Sequence, residues 1–316
     1  MRSLLATAII LSLAACSGPA PPRPEAAAHQ GGWAIAPEGE LNQFFDCLDE
    51  NGVTLIAAHR GGPSSNFPEN AIETFEKTLA EAPAILEVDV ATSSDGVPYL
   101  MHDETLDRTT TGSGPSDALP FKDLRALKLE DPFGRPTAFA PPSFADALSW
   151  ANGRTILEID FKRSTRYEDV IAEINRQDAV HRVILIAYTL AQAERLHRLA
   201  PEAMISLSLS TQSDLNRTVA AGVPLDRLLG FTGVDDPKPR LFSILESQDV
   251  EVIFGTLGGE DSIDGRIEAS GDDSAYAAIA ALGADIIATD QPIAAHKALA
   301  SGGRAAASGQ CGITRS

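Results

Sequence analysis

The feature that most constrains the fold of this chain is an alternation of short apolar runs with amphipathic stretches, which continues over most of its 316 residues. The stretch 70–79, for example, carries apolar Ile72, Phe75 and Leu79 at helical spacing. Strands separated by helices form a parallel sheet, and eight strands favour closure into a barrel. We therefore predict an α/β fold, a (β/α)8 TIM barrel. Its strands are predicted at 53–58, 85–90, 97–101, 155–161, 183–188, 204–209, 252–256 and 285–289.

Two segments do not fit this repeat. Leu228–Phe231 is a surplus apolar run, which we assign to the long connection between the sixth and seventh predicted strands. Residues 104–142, after the third predicted strand, form a polar, Pro-rich stretch that is too long for a simple connector. Because loops of this length usually carry function, we predict a small insertion that caps the barrel mouth.

The N-terminus predicts export. An apolar run over residues 4–15 is too short to span a bilayer as a helix. It ends in Leu13-Ala14-Ala15-Cys16-Ser17, which resembles a bacterial lipoprotein signal box and implies lipidation of Cys16. Ser17 at the next position favours the outer membrane, facing the periplasm; an ordinary secretory peptide cleaved nearby is the alternative. The predicted divisions are a signal peptide at 1–15, a flexible lipid-anchored tether at 16–40, the barrel at 41–300 and a C-terminal tail at 301–316.

The net charge of -19 limits the possible partners. It argues against nucleic acid, because binding to phosphates requires clustered Lys and Arg. It also argues against electrostatic docking on an anionic bilayer, so membrane contact is predicted through the N-terminal lipid only. We predict a monomer whose acidity serves solubility.

Besides Cys16, the chain has two cysteines, Cys47 and Cys311. Export places them in an oxidising compartment, and a closed barrel brings the two ends of its chain together. We therefore predict a disulfide between them, worth about 4–5 kcal/mol in the chain-entropy model. Two free thiols are the alternative.

Ionisable residues collect at the ends of the predicted strands, where the chemistry of a parallel barrel is located. Glu87 and Asp89 lie two apart in an apolar run, so both point to one face of the strand. Two carboxylates that face a barrel interior repel each other unless a cation is present. Oxygen ligands favour Mg²⁺, Ca²⁺ or Mn²⁺. A surface-facing pair on an edge strand is the alternative.

His59 and His102 each end a predicted strand. Two histidines beside a carboxylate strand suit proton transfer near neutral pH, although both could instead ligate a transition metal. Arg60 and Lys162 supply positive charge suited to a phosphate group. Salt bridges to the neighbouring carboxylates are the alternative for either cation.

Five motifs in order resemble the glycerophosphodiester phosphodiesterase family over residues 54–292. They are His59-Arg60-Gly61, Pro68-Glu69-Asn70, Glu87-Val88-Asp89, His102-Asp103 and Thr289-Asp290-Gln291-Pro292. The resemblance implies a TIM barrel with an insertion after the third strand. It also implies hydrolysis of a glycerophosphodiester substrate to glycerol 3-phosphate and an alcohol, with one divalent cation, Ca²⁺ or Mg²⁺.

The resemblance assigns roles by position. It makes His59 and His102 the catalytic acid and base, one activating water or the glycerol 2-hydroxyl and the other protonating the leaving alcohol. It makes Glu87 and Asp89 metal ligands. The third ligand in the family is the Glu of a Glu-x-Lys motif, and Asp160 occupies that position here, with Glu158 as the fallback. Glu69 is predicted at the metal or beside it, and Arg60 and Lys162 at the substrate phosphate.

A further departure is Phe254-Gly255-Thr256, where the family commonly has Trp-Thr. Tyr188 or Phe254 could replace the missing aromatic wall. Two other functions stay open from the sequence. One is a phospholipase D-like enzyme acting on lysophospholipids or sphingolipids, and the other is a non-catalytic binding lipoprotein of the cell surface.

Overall fold

A computed structural model describes residues 31–316, so the predicted signal peptide and Cys16 lie outside the described residues. Its centre is a closed barrel of eight parallel strands with helices around it, which confirms the predicted fold class. The strands of the described chain are β1 Trp33–Ile35, β2 Leu55–Ala58, β3 Ile85–Thr92, β4 Pro98–Leu100, β5 Leu157–Phe161, β6 Val183–Ala187, β7 Met204–Ser208, β8 Leu228–Phe231, β9 Glu251–Gly255, β10 Ile286–Thr289 and β11 Ile313–Arg315. The helices are α1 Leu41–Glu50, α2 Ile72–Glu81, α3 Phe121–Leu124, α4 Phe144–Ala151, α5 Tyr167–Arg176, α6 Leu190–Leu199, α7 Gln212–Ala220, α8 Pro239–Glu246, α9 Ile263–Ser270, α10 Ser274–Ala281 and α11 Pro292–Ser301.

The barrel runs in the order β2, β3, β5, β6, β7, β8, β9 and β10, and β10 pairs with β2 to close it. Two strand assignments from the sequence were wrong. One predicted barrel strand lies outside the barrel and one run assigned to a connection lies inside it, so the predicted number of eight barrel strands is still correct. The predicted third strand, now β4, pairs antiparallel with β3 and lies outside the barrel. The surplus run Leu228–Phe231 is β8, a barrel strand between β7 and β9. The insertion therefore follows the second barrel strand and its hairpin partner.

The predicted insertion at 104–142 has a small apolar core of its own. Leu106 and Leu124 pack with Tyr99 and Met101 of the β4 region, and all four are buried. The hydroxyl of Tyr99 donates to the backbone oxygen of Ser116 at 2.7 Å. The hairpin strand β4 thus carries the insertion beside the barrel mouth.

The two ends of the described chain meet under the barrel. β1 pairs antiparallel with β11, and Ile35 N donates to the backbone oxygen of Arg154, just before β5. Trp33 and Ile35 are buried, so residues 33–35 belong to the fold rather than to the tether predicted for 16–40. The predicted tail likewise contains β11. Three-residue strands have too little periodicity to be recognised in a sequence.

A disulfide joins Cys47 of α1 to Cys311, just before β11, across 264 residues. The apolar cluster around it includes Phe44 and Phe45 of α1 together with Leu55, at the start of β2. The first residues of the barrel strands are therefore covered, and the opposite end of the barrel is left for the polar side chains. No helix within residues 31–316 is long and apolar enough to cross a membrane.

Candidate active site

The register of β3 against β5 places two pairs of carboxylates side by side. Glu87 lies opposite Glu158 and Asp89 opposite Asp160. Because side chains alternate between the two faces of a strand, all four face the barrel interior, and all are buried. Oxygens of Glu87, Asp89 and Asp160 lie within 4.8 Å of one another, the one such group of potential metal ligands in residues 31–316. The structure thus brings three of the predicted ligands together.

The electrostatics of this cluster favour a cation. Burial, followed by repulsion from Asp89 and Asp160, raises the pKa of Glu87 well above its usual range. Burial also raises the pKa of Glu158 to about 7, although a hydrogen bond with Ser206 opposes it. A hard divalent ion would neutralise such closely spaced oxygen donors, so the donor set fits a cation of that class.

Lys162 lies among the carboxylates. Its Nζ is 2.6 Å from Asp89 Oδ1 and 2.7 Å from Asp160 Oδ2. Burial opposes ionisation of Asp89, but Lys162 and Arg60 outweigh it and lower the pKa of that carboxyl. The salt bridge that the sequence left as the alternative for Lys162 is therefore present, and the same ammonium lines the cavity.

Asn70, which the sequence analysis gave no role, holds Asp89 from the other side. Its Nδ2 donates to Asp89 Oδ2 at 2.7 Å, and its Oδ1 accepts from the Asp89 backbone N–H at 3.0 Å. Asn70 adopts a left-handed φ of 56°, which asparagine tolerates better than most residues. It therefore fixes one rotamer of a buried carboxylate.

Arg60 and Glu69 form a charged layer beside the cluster. Arg60 has a left-handed φ of 51°, and its backbone N–H donates to Glu87 Oε2 at 2.7 Å. Its guanidinium binds Glu69 at 3.0 Å, and Arg108 of the insertion binds the same carboxylate at 2.7 Å. Glu69, predicted at the metal or beside it, lies outside the three-carboxylate group, and each of its oxygens binds an arginine.

The two histidines approach the cavity from different elements. His59 follows β2, and its Nδ1 donates to Asp290 Oδ1 at 2.6 Å. His102 follows β4, which was predicted to be a barrel strand but lies outside the barrel. Its Nδ1 donates to Asp103 Oδ1 at 2.6 Å. An aspartate on Nδ1 fixes the tautomer and leaves Nε2 as the proton-accepting atom. Both rings line the cavity that contains the carboxylates.

Asp290 is a site residue to which the sequence analysis gave no role, although it lies in the last of the five motifs. Its backbone N–H donates to Asp264 Oδ2 at 2.7 Å. Buried Asp264 is itself held by the hydroxyls of Tyr276 at 2.7 Å and Thr289 at 2.9 Å. Asp290 follows the last barrel strand, so the strand-end rule that selected His59 could also have selected it.

The cavity has a volume of about 230 Å³. Tyr188 lines it, and its hydroxyl donates to Asp160 Oδ2 at 2.7 Å. Phe254, the other predicted replacement for the aromatic wall, is fully buried and packs on Phe242 of α8 with ring centroids 6.1 Å apart. Of these two candidates, Tyr188 is therefore the one at the cavity.

A second groove of about 650 Å³ meets the cavity at His102 and Lys162. Most of its other lining side chains are polar or charged. They are Ala91, Asp103, Glu104, Thr105, Pro115, Ser116, Asp117, Arg163 and Ser164.

Comparisons with curated proteins give partial matches. An uncharacterized protein, YqiK, of Bacillus subtilis is 33% identical over 158 residues, which cover 47% of this chain and 64% of that protein. Glycerophosphodiester phosphodiesterase 1 of Rattus norvegicus is 46% identical over 70 residues, 22% of this chain and 21% of that protein. The chain thus spans less than two thirds of the length of these relatives.

Solved structures match over more of the chain. A glycerophosphoryl diester phosphodiesterase from Parabacteroides distasonis is 27% identical with a TM-score of 0.81, covering 90% of this chain and 100% of that one. A phosphodiesterase from Oleispira antarctica, in complex with the product sn-glycerol-3-phosphate, is 20% identical with a TM-score of 0.63. That match covers 78% of this chain and 97% of the other, and it shows a shared fold.

A family model described as the glycerophosphoryl diester phosphodiesterase family matches residues 59–224. The matched region begins at His59 and includes the whole carboxylate cluster and His102. Because it covers more than half of the 316 residues, the chain belongs to the glycerophosphoryl diester phosphodiesterase family.

Proposed function

We propose that this protein hydrolyses glycerophosphodiesters to glycerol 3-phosphate and an alcohol. The observation that carries the proposal is one cavity in which two aspartate-backed histidines flank three clustered carboxylates. The Oleispira antarctica phosphodiesterase of the same fold holds sn-glycerol-3-phosphate, which supports this class of product.

Glu87, Asp89 and Asp160 are proposed to hold one divalent cation, Ca²⁺ or Mg²⁺. When bound, such an ion stabilises the negative charge that develops on a phosphate during transfer. Arg60 and Lys162 lie beside the same carboxylates and add positive charge for the phosphate oxygens. A phosphodiester is anionic, so this balance of charge favours its binding at an otherwise acidic mouth.

His59 and His102 are proposed as the acid/base pair. The Nε2 of one ring removes a proton from the attacking oxygen, and the other ring gives a proton to the departing alkoxide as the P–O bond breaks. Water and the glycerol 2-hydroxyl are the two candidate nucleophiles. A transient cyclic phosphate seen by ³¹P NMR would identify the hydroxyl route, and its absence under single-turnover conditions would identify water.

The deciding experiment measures release of glycerol 3-phosphate from glycerophosphocholine by the purified full-length protein. The protein is treated with a chelator, and Ca²⁺, Mg²⁺ or Mn²⁺ is then restored. We expect release that depends on the cation. No release with any of the three from a folded protein would overturn the proposal.

The polar groove beside His102 favours water-soluble diesters over lysolipids. Of its lining residues, only Ala91 and Pro115 lack a polar side-chain group, so a soluble head group would find hydrogen-bonding partners along the groove. A higher kcat/KM for glycerophosphocholine than for lysophosphatidylcholine is the expected outcome. The reverse order would favour the phospholipase D-like function.

A further inference from the structure

Tyr188 combines an exposed ring with an anchored hydroxyl. It follows β6 at the barrel mouth, and 57% of the residue is exposed. Its hydroxyl nevertheless reaches inward to Asp160 Oδ2, and its backbone N–H donates to the side chain of Gln192 in α6 at 2.9 Å. Contacts at both ends of the residue therefore fix the ring across the cavity entrance.

The hydroxyl of Tyr188 shares its acceptor with Lys162. Both donors lie 2.7 Å from Asp160 Oδ2. A divalent cation on the carboxylates would repel the ammonium of Lys162, whereas it would not repel the neutral phenol in the same way. The Tyr188 hydroxyl is therefore the partner that can keep holding Asp160 when the cation is bound.

Asp160 has a particular need for such a partner. The terminal torsion of an aspartate is broad and roughly two-fold, so hydrogen bonds decide where its second oxygen points. Asn70 performs this task for Asp89, and the backbone N–H of Arg60 performs it for Glu87. Tyr188 completes the set, with one neutral donor on each of the three clustered carboxylates.

The ring of Tyr188 has a separate position. It lines the cavity together with Ile186, Phe231 and Leu257, which form the apolar part of the wall. Since Phe254 is turned to the helix layer and fully buried, it cannot contact a molecule in the cavity. The aromatic side chains that line the cavity are therefore those of Tyr188 and Phe231.

We propose that Tyr188 acts through two separable parts. Its hydroxyl orients Asp160 for the divalent cation, and its ring forms a wall of the substrate cavity. This inference rests on the proposed function, because it assumes the cation and the glycerophosphodiester substrate named there.

Two variants of the full-length protein separate the two parts. Tyr188→Phe removes the hydroxyl and keeps the ring, and Tyr188→Leu removes both. Binding of Mn²⁺ is measured by EPR, with Ca²⁺ as competitor, in the absence of substrate. Loss of a hydrogen bond that orients a metal ligand typically weakens binding about 10–100-fold, and we expect a weakening of this size for Mn²⁺ in both variants.

The ring is tested by the binding of sn-glycerol 3-phosphate at saturating Mn²⁺. Its Kd should be about fivefold higher in the Leu variant than in the Phe variant, because only the Leu variant lacks the ring.

Tyr167→Phe is the matched control. It makes the same chemical change on α5, where the ring packs on Phe161 at 4.4 Å between centroids. It should bind Mn²⁺ as tightly as the wild-type protein. Wild-type affinity in Tyr188→Phe would overturn the role of the hydroxyl, and equal Kd values in the Phe and Leu variants would overturn the role of the ring. Failure of the proposed function would give a different result. The wild-type protein would then release no product, and this holds for any outcome of the binding measurements on the variants.

Discussion

At the scale of single residues, each imidazole in the cavity has an aspartate of its own. Asp290 accepts from Nδ1 of His59 and Asp103 accepts from Nδ1 of His102, both at 2.6 Å. A carboxylate in this position stabilises the imidazolium that forms when Nε2 takes up a proton. Arg108 also binds Asp103. Its hydrogen bonds lower the pKa of the Asp103 carboxyl far below the usual range, so that carboxylate stays charged.

The first prediction concerns the histidines themselves. Replacing His59 or His102 by Ala should lower kcat for glycerophosphocholine by at least roughly 10²-fold, because each removes a proton-transfer group. His181→Ala, on the surface turn Val180–Arg182, is the control and should retain full activity. Steady-state kinetics with circular dichroism as a folding check decides the matter. A wild-type rate in either variant would remove that histidine from the mechanism.

The second prediction concerns Asp290. Asp290→Asn keeps the size of the side chain but removes the charge that stabilises protonated His59, so kcat should fall by roughly 10²–10⁴-fold. Asp226→Asn, an exposed acid after Pro224, serves as the matched control. If both variants turn over substrate equally fast, Asp290 does not act on His59 during the reaction.

The sequence predicted the carboxylate cluster because period-two alternation fixes the face of a strand residue. It gave no role to Asp290, and it did not predict that Arg108 binds Glu69, although a salt bridge from Arg60 to a neighbouring carboxylate was its alternative. The His59–Asp290 pair joins residues 231 positions apart, and Arg108 reaches Glu69 from the insertion across 39 positions. Such contacts between loops depend on how strand ends face each other across the barrel, which local periodicity does not encode.

At the scale of elements, the two wrong strand assignments have distinct physical causes. β4 begins six residues after β3 ends, and a parallel crossover needs a dozen or more. That spacing alone could have indicated a hairpin. β8 has four residues including Gly230, where a Cβ atom would lie 2.9 Å from Leu245 of α8. A larger residue there would have to displace the end of the Leu245 side chain, and the glycine that avoids this weakens the strand signal.

Acidic side chains from several elements surround a cavity of about 290 Å³ at the start of β9. Burial, followed by repulsion from Asp285, raises the pKa of Glu251 to about 8. Burial likewise raises the pKa of Asp285, just before β10, to about 6. The folded protein thus binds these protons more tightly than the unfolded chain does. Their stabilising effect is complete below about pH 4 and is lost as the pH rises towards these folded-state values.

The third prediction follows from the upward direction of these pKa shifts. Glu251→Gln abolishes the titration, so its free energy of unfolding should exceed that of the wild-type protein by roughly 1–3 kcal/mol at pH 8 and match it at pH 4. Urea denaturation at both pH values provides the measurement. Glu268→Gln, on the exposed side of α9, should show no such difference between the two pH values. A Glu251→Gln variant that is less stable at pH 8 would contradict the assignment.

At the scale of the whole molecule, both ends of the described chain, residues 33–35 and 313–315, lie at the end of the barrel opposite the catalytic cavity. The fourth prediction uses this separation. Cys47→Ala with Cys311→Ala should lower the free energy of unfolding by about 4–5 kcal/mol, because the cross-link spans 264 residues. Since the disulfide lies far from His59 and His102, kcat measured well below the melting temperature should not change. A loss of kcat without a loss of stability would contradict this separation of roles.

The fifth prediction concerns attachment to the membrane. If Cys16 carries lipid, the chain enters the described fold at β1, whose Ile35 binds Arg154 at the covered end of the barrel. The tether would then join the fold at the end of the barrel opposite the cavity, which leaves the cavity open to water-soluble diesters. Cys16→Ala should abolish incorporation of labelled palmitate and release the protein from the outer-membrane fraction, with kcat on glycerophosphocholine retained. A Cys16→Ala protein that stays in that fraction after a high-salt wash would show that something other than the predicted lipid holds it there.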